Sequence, residues 1–191
     1  MTATRLLLLG PPGVGKGTQA QKLIDRLGIP QISTGEMLRA AVAADSSVGR
    51  HAKGYMERGE LVPDDVVIGV ARERLSQRDA GKGFVLDGFP RTVQQAQALD
   101  RILSELGVEL ERCVVLTAEP GELVKRLLRR AELEGRPDDN EETIGTRMRV
   151  YEQETAPLVA YYREHGIVAH VDGLGEIEAI ADRIAEALED R

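Results

Sequence analysis

The chain has 191 residues, which is enough for one domain with a sizeable core. Its net charge of -7 argues against general binding to nucleic acid or to a membrane surface, so any basic site must be local. The single cysteine, Cys113, excludes an internal disulfide and a multi-cysteine zinc site, and its apolar neighbours favour a buried thiol. We find no stretch as long as a membrane span and no signal peptide, and therefore expect a cytoplasmic protein.

The first informative stretch is residues 6–18. Four consecutive leucines predict a strand buried on both faces, and glycines at positions 10, 13, 15 and 17 follow it. Residues 19–27 then carry apolar side chains at helical spacing, and Gly28 closes the helix. A strand, a glycine-rich loop and a helix are typical of a phosphate-binding loop, in which Lys16 reaches the outer phosphates of a nucleotide. The hydroxyl residue usually next to this lysine comes one position later, as Thr18; a glycine turn without a ligand is the alternative.

Residues 29–75 are predicted to form a short strand and then helices. The strand covers residues 29–33, and Ser33 and Glu36 stand at the spacing of a capping box for the helix that follows. A break near residues 45–47 precedes a second helix to Gly59, and a third begins after Pro63. Residues 33–62 therefore predict a small helical lobe inserted between sheet elements. Taken alone, the polar residues at 33–36 are explained by a helix cap.

The second informative stretch is residues 83–91. An apolar strand ends here in Asp87, and a carboxylate at the end of a strand beside a phosphate loop suits Mg²⁺. The alternative is that Asp87 is a turn residue before Gly88. Thr92 and Gln95 again have capping-box spacing, so Gln95 also has a structural explanation.

The second half predicts two more strands, at residues 111–117 and 167–172. A helix starts at Pro120, and Arg126 and Arg130 share one of its faces, where they could bind one polyanion. Salt bridges on a solvated face are the alternative for this basic region, and we accept that interpretation for Arg129 and Arg149.

The remaining elements are helical. A long helix from Asn140 to about residue 164 should kink at Pro157, and a last helix covers residues 176–190. The three histidines have no metal spacing. Alternating strands and helices predict an α/β fold with a five-stranded parallel sheet, with sites at the carboxyl ends of the strands.

Five segments carry a resemblance to a known family: residues 10–19, 33–39, 86–92, 136–139 and 171–173. With these segments the chain resembles the adenylate kinases from end to end. The resemblance implies a P-loop fold forming a single kinase domain over residues 1–191, with a lobe for the nucleoside monophosphate at 33–62 and a short lid loop at 129–139. It implies reversible Mg²⁺-dependent phosphoryl transfer from ATP to AMP, giving two ADP, without zinc. The implied partners are these small nucleotides, not nucleic acid or membrane, and the implied state is a monomer.

The resemblance also implies roles for individual residues. Those expected to bind ATP are Gly13, Val14, Gly15, Lys16, Gly17, Thr18, Arg130 and Gly175. Those expected to bind the monophosphate are Thr34, Arg39, Glu60, Leu61, Val62, Gly88, Phe89, Pro90, Arg91, Gln95, Arg136 and Arg147. Those expected to act in the transfer itself are Lys16, Asp87, Arg91, Arg126, Arg130, Arg136 and Arg147. Mg²⁺ is expected near Thr18 and Asp87, through water.

Two other functions stay open at the level of sequence. One is a kinase of another monophosphate, although Thr92 and Gln95 after the Gly-Phe-Pro-Arg segment resemble the adenylate pattern. The other is a nucleotide-sensing module without turnover. The joint presence of Lys16, Asp87 and the arginines argues against that module, because pure binding does not need the groups that neutralise a phosphoryl group in transit.

Overall fold

The computed structural model describes residues 4–134 and 140–189, and its strands agree with the predicted ones to within two residues. They are β1 (Arg5–Leu9), β2 (Gln31–Ser33), β3 (Phe84–Asp87), β4 (Arg112–Thr117) and β5 (Val168–Asp172). All pair in parallel, in the order β2-β3-β1-β4-β5, which confirms the predicted five-stranded parallel sheet.

The helices cover both faces of this sheet. They are α1 (Lys16–Leu27), α2 (Thr34–Ala43), α3 (Ser47–Glu57), α4 (Asp64–Leu75), α5 (Val93–Glu105), α6 (Pro120–Glu134), α7 (Glu141–Val150), α8 (Leu158–Glu164) and α9 (Ile177–Glu189). A short 3₁₀ turn, Arg78–Lys82, precedes β3 and was not predicted from the sequence.

The core has two layers because neighbouring residues of a strand point to opposite faces. Leu7 and Leu9 of β1 join the cluster that packs against α4, α5 and α8. Leu6 and Leu8 join the cluster that packs against α1 and α9. All four leucines are buried, and burial of each contributes about 1.5–3 kcal/mol to folding. The leucine run thus fixes β1 at the centre of the sheet.

The predicted long helix after Asn140 differs from the structure in one respect. The helix is interrupted before Pro157, where the chain forms a π-helical turn over Tyr151–Thr155, in which the amide of Ala156 donates to Tyr151 O at 2.8 Å. Proline has no amide hydrogen and its ring clashes with the preceding turn, so the helix widens before Pro157 and resumes at Leu158. The wide turn brings Tyr151 and Thr155 to the edge of a cavity at the sheet's carboxyl end.

Parallel pairing collects the predicted polar segments at one edge of the sheet. β1 runs into the glycine loop, and β3 ends in Asp87 directly beside it in register. β2 ends at Ser33, whose hydroxyl accepts from the amide of Glu36 and caps α2. All three ends lie on the same side, and there the candidate site forms.

Candidate active site

The glycine loop is a concave stretch of backbone between β1 and α1. Gly15 is the N-cap of α1 at φ 100°, and no described side chain caps this helix, so its first amides remain available to an anion. Gly13 has φ 84°, and a Cβ there would lie 2.8 Å from Leu123 O. Only glycine fits this close approach to α6. The loop therefore has the backbone shape of a phosphate cradle.

Lys16 begins α1 and folds back over the loop. Its Nζ donates to Gly10 O at 2.7 Å and to Pro11 O at 3.1 Å, which aims the ammonium group along the loop's inner side. By its solvent-accessible surface the Lys16 side chain is only half-buried, yet it lies deep in a cleft. A nucleotide phosphate chain lying on the loop would meet this charge first.

The electrostatic surroundings of Lys16 are strongly cationic. Burial lowers its pKa to about 8, and the charges of Arg91, Arg147 and Arg130 act in the same direction, while Asp87 opposes them. Four cations converge on one carboxylate here. The site by itself carries an excess of positive charge, which the negative charges of a polyphosphate would neutralise.

Three cavities open at this edge of the sheet. The largest, of about 740 Å³, runs along the glycine loop and is lined further on by Asp87, Arg130 and Gly175. A second lies against α2 and is lined by residues 59–62, Arg39 and Gln95. A third, small one lies behind Lys16 and reaches the π-helical turn. Gly88, Arg91 and Arg147 line all three, so the cavities meet at these residues.

The cavity against α2, which we call the acceptor pocket, has two chemically distinct ends. Four apolar residues form one wall and suit a flat base: Leu38, Met56, Val62 and Val67. The other end is basic. A Cβ on Gly35 would lie 3.4 Å from Arg39 Nη1 and 3.7 Å from Arg91 Nη2, which puts both guanidinium groups at the N-terminus of α2. This end suits a phosphate, which Arg can bind with two hydrogen bonds at once.

The backbone around Arg91 is fixed from several sides. Its amide donates to Gln95 Oε1 at 2.7 Å, its Nε donates to Gly88 O at 2.8 Å, and Thr155 Oγ1 donates to its carbonyl at 2.8 Å. Thr34 Oγ1 also donates to Gly88 O, at 3.0 Å. The segment 88–95 is therefore preorganised, which is how a binding site limits the cost of ordering its side chains.

Asp87 stands where the sequence predicted it, at the end of β3 and beside the loop. Its Oδ2 accepts from Gln31 Nε2 at 3.2 Å, and Thr18 lines the same cleft. One carboxylate and one hydroxyl are too few for a dedicated metal cage but fit Mg²⁺, which keeps waters and takes the remaining ligands from phosphates. Within residues 4–134 and 140–189, no three His, Cys, Asp or Glu residues come together as a metal site.

Comparison with known proteins identifies the family of the chain. A family model described as adenylate kinase matches residues 8–167.

The chain belongs to the adenylate kinase family.

Named relatives agree with the family match. A protein of Leptospira biflexa called adenylate kinase is 53% identical, with 96% of this chain and 99% of that protein covered. An adenylate kinase of Kocuria rhizophila is 51% identical, with 97% and 99% covered. That of Citrifermentans bemidjiense is also 51% identical, with 96% and 98% covered, over 210 aligned positions. This alignment is longer than our 191-residue chain, so that relative carries residues that this chain lacks. As a family member, the chain is a nucleoside monophosphate kinase.

The basic residues expected in an adenylate kinase differ from one another in the contacts that they make in this structure. Arg126 donates through Nε to Glu122 at 3.1 Å and through Nη1 to Gly173 O at 3.1 Å, so it ties α6 to the segment after β5. Arg130 lies one turn further along α6, and both Arg126 and Arg130 line the large cleft. Arg129, interpreted as a solvated surface residue, is exposed but also lies at the rim of that cleft. Arg136 lies outside the described residues.

The other expected nucleotide contacts divide into side-chain and backbone positions. Phe89 is fully buried in the core, so only its backbone can reach a nucleotide, and Pro90 lines the small cavity behind Lys16. Glu60, Leu61 and Val62, predicted to bind the monophosphate, line the acceptor pocket. Gly175 lines the large cleft at φ 112°.

Several residues that shape the site were not recognised in the sequence. Asp64 accepts from Gln95, Thr155 holds the Arg91 carbonyl, and Gln31 contacts Asp87. Arg183 donates to Leu174 O at 3.0 Å and so fixes the loop that carries Gly175. The contacts of Asp64, Thr155 and Gln31 join segments that are far apart in the sequence, for which no local motif exists. Only the N-cap patterns at Ser33 and Thr92 signalled part of this network.

Proposed function

We propose that the large cleft along residues 13–18 holds ATP, that the acceptor pocket holds AMP, and that the phosphoryl group passes between them beside Arg91 and Arg147. The observation that carries this proposal is that Gly88, Arg91 and Arg147 line both cavities. Two nucleotides placed with their bases apart would bring their phosphates together there. The forward transfer converts ATP and AMP into two ADP, and the reverse transfer converts two ADP into ATP and AMP, which is the activity of the family.

The chemistry needs positioning more than covalent participation. An anionic oxygen of the AMP phosphate attacks the γ-phosphorus of ATP, and the bond from that phosphorus to the β–γ bridging oxygen breaks, so that ADP leaves. The attacking oxygen carries no proton to be removed, and the reaction therefore needs no general base. In-line alignment and charge neutralisation supply the catalysis.

Lys16 and the arginines provide that neutralisation. We assign Lys16 and Arg130 to the donor phosphates, Arg39 and Arg91 to the acceptor phosphate, and Arg147 to the group in transit. Removal of one preorganised donor from such a site typically lowers kcat by about 10²–10³. In the absence of nucleotide, the hydrogen bonds of Lys16 to Gly10 and Pro11 keep its ammonium group in place.

We assign the magnesium site to Asp87 and Thr18, acting through water. Asp87 and Thr18 would hold the hydrated Mg²⁺, which would supply charge neutralisation to the donor phosphates. Gln31 orients the Asp87 carboxylate through its 3.2 Å hydrogen bond, which leaves Oδ1 for the hydrated ion. We also propose a short lid at residues 129–139, of which 135–139 lie outside the described residues, and no zinc site, because the segment between Arg130 and Arg136 is short and the chain has one cysteine.

We further propose that residues 33–62 are the lobe that receives AMP and that the chain acts as a cytoplasmic monomer. The pocket-lining residues Thr34, Arg39 and Glu60 all come from this lobe. None of the described helices is both long and apolar enough to span a bilayer.

A coupled assay with ATP and a panel of monophosphates tests the proposed function. The chain should phosphorylate AMP with a kcat/KM at least about 10²-fold above that for CMP, UMP or GMP, because Gln95 and the apolar wall read the base. Chelation of the metal should stop the reaction, and Mg²⁺ alone should restore it. Comparable rates with CMP or UMP would contradict the assignment of the acceptor pocket to AMP.

A further inference from the structure

The acceptor pocket is lined by one side-chain amide, that of Gln95. The residue is 1% exposed, yet it lines the pocket together with the apolar residues. Both ends of the amide are engaged: Oε1 accepts from the Arg91 amide at 2.7 Å, and Nε2 donates to Asp64 Oδ1 at 2.7 Å. The Nε2 group has a second hydrogen, and no other side-chain amide lines this pocket among the residues that surround it.

Asp64 determines which way this amide faces. It begins α4, directly after the helical lobe, and its carboxylate also accepts from Thr92 Oγ1 at 3.3 Å. A carboxylate can only accept hydrogen bonds, and the amide of Arg91 can only donate one. If the Gln95 amide were reversed, its oxygen would face the carboxylate and its NH₂ group would face an N–H donor. Asp64 and the Arg91 amide therefore hold Gln95 in a single orientation.

We propose that Asp64 is a positioning residue that sets the base specificity of the acceptor pocket. It holds Gln95 so that the second Nε2 hydrogen is offered to a ring nitrogen that accepts. A 6-aminopurine has such an acceptor at N1, whereas a 6-oxopurine carries a hydrogen there and would meet donor with donor. The pocket thus selects the amino form of the purine through a residue that touches no nucleotide.

This inference rests on the proposed function, since it assumes that the acceptor pocket takes AMP. The test compares AMP with IMP, which differs from AMP only in the 6-oxo group and the protonated N1. The measured quantity is the ratio of kcat/KM for AMP to that for IMP on one enzyme sample. Because it is a ratio, it does not depend on the fraction of protein that is folded or active.

Asp64→Asn keeps the shape of the side chain but can present either an oxygen or an NH₂ group to Gln95. Reversal of the Gln95 amide then becomes cheaper, and we expect the AMP to IMP ratio to fall at least about tenfold, equivalent to about 1.4 kcal/mol. Asp64→Glu retains an acceptor-only group and should keep more of the preference for AMP than Asp64→Asn does.

Asp65→Asn is the matched control. Asp65 is the next residue in the first turn of α4 and is exposed, so the change in charge and in its interaction with the helix dipole is the same. Its ratio should equal that of the wild type. An unchanged ratio in Asp64→Asn, with a wild type that prefers AMP, would overturn this inference alone. A wild type that does not distinguish AMP from IMP would overturn the assignment of the pocket and this inference together.

Discussion

The two proposed nucleotide sites of this chain are built in opposite ways. The phosphate-binding part of the proposed donor site is mostly backbone, from the continuous segment of residues 12–18, and Asp87, Arg130 and Gly175 line the rest of the cleft. The acceptor pocket is mostly side chains, drawn from α2, α3, residues 59–62, α4, the segment 88–95 and α7. Backbone amides recognise phosphate whatever base is attached, whereas side chains can distinguish one base from another.

This difference assigns phosphate binding to the donor loop and base recognition to the acceptor pocket. A change in the donor loop should affect every nucleotide pair equally, because phosphates are common to all of them. A change in the acceptor pocket should affect AMP in particular, or one base relative to another. The residues where the cavities meet, Arg91 and Arg147, should affect transfer itself.

Replacement of Lys16 with methionine should have the largest effect. Lys16 supplies the charge that the backbone loop lacks, so we expect kcat to fall by about 10³ or more with every monophosphate. The melting temperature should change little, because Lys16 lines a cleft and is not part of either apolar cluster. The measurements are coupled-assay kinetics and thermal unfolding.

Lys22→Met is the control on the same helix. Lys22 is partly exposed and pairs with Glu178, a surface ion pair worth about 0–1 kcal/mol. Its variant should retain wild-type kcat. An active Lys16→Met enzyme would show that the loop binds phosphate without its lysine.

Arg147→Lys should have the next largest effect. It should change kcat more than the KM for ATP or for AMP. The guanidinium group offers two parallel donors to a phosphoryl group, and lysine cannot reproduce that fork. We expect kcat to fall at least about tenfold, with little loss of thermal stability.

Arg149→Lys is the control two residues further along α7. Arg149 is exposed and lines none of the three cavities, so its variant should behave as the wild type. Equal small effects at both positions would mean that Arg147 is only a surface charge.

The smallest expected effect is on the pH dependence of ATP binding. The pKa of Lys16 is about 8 in the free protein, mainly because of burial, and bound phosphates should raise it. Above pH 8 the free lysine loses its proton, and ATP must then bind together with a proton. The affinity for ATP should fall about fourfold between pH 7 and 8.5, and proton uptake should be measurable by calorimetry in buffers of different ionisation enthalpy. If the Lys16→Met variant kept the same pH dependence of ATP binding, that dependence would come from a group other than Lys16.

The same division explains what the sequence could predict. Continuous apolar runs such as Leu6–Leu9 and residues 113–116 predicted the strands, because a strand buried on both faces leaves no polar positions. The glycine loop was recognisable from the sequence because its proposed phosphate-binding role depends on one local stretch of backbone. Asp87 could be placed because parallel pairing brings the end of β3 beside that loop.

What the sequence could not predict depends on contacts between distant segments. Asp64 and Gln95 are 31 residues apart, and Thr155 reaches Arg91 across 64 residues. Arg126 and Arg130 share one helix face and both line the cleft, yet Arg126 also ties α6 to Gly173, a contact that the local spacing does not show. The π-helical turn before Pro157 was also missed, because a proline indicates that a helix is interrupted but not how the interruption is accommodated.

A crystal structure with AMP and a non-transferable ATP analogue tests the central claim most directly. The account predicts the triphosphate on residues 13–18 beside Lys16, the AMP phosphate between Arg39 and Arg91, and the two phosphate groups facing each other within reach of Arg147. The AMP base should contact Gln95 and the apolar wall of the acceptor pocket. AMP bound away from this pocket, or phosphates that do not meet at Arg147, would contradict the account.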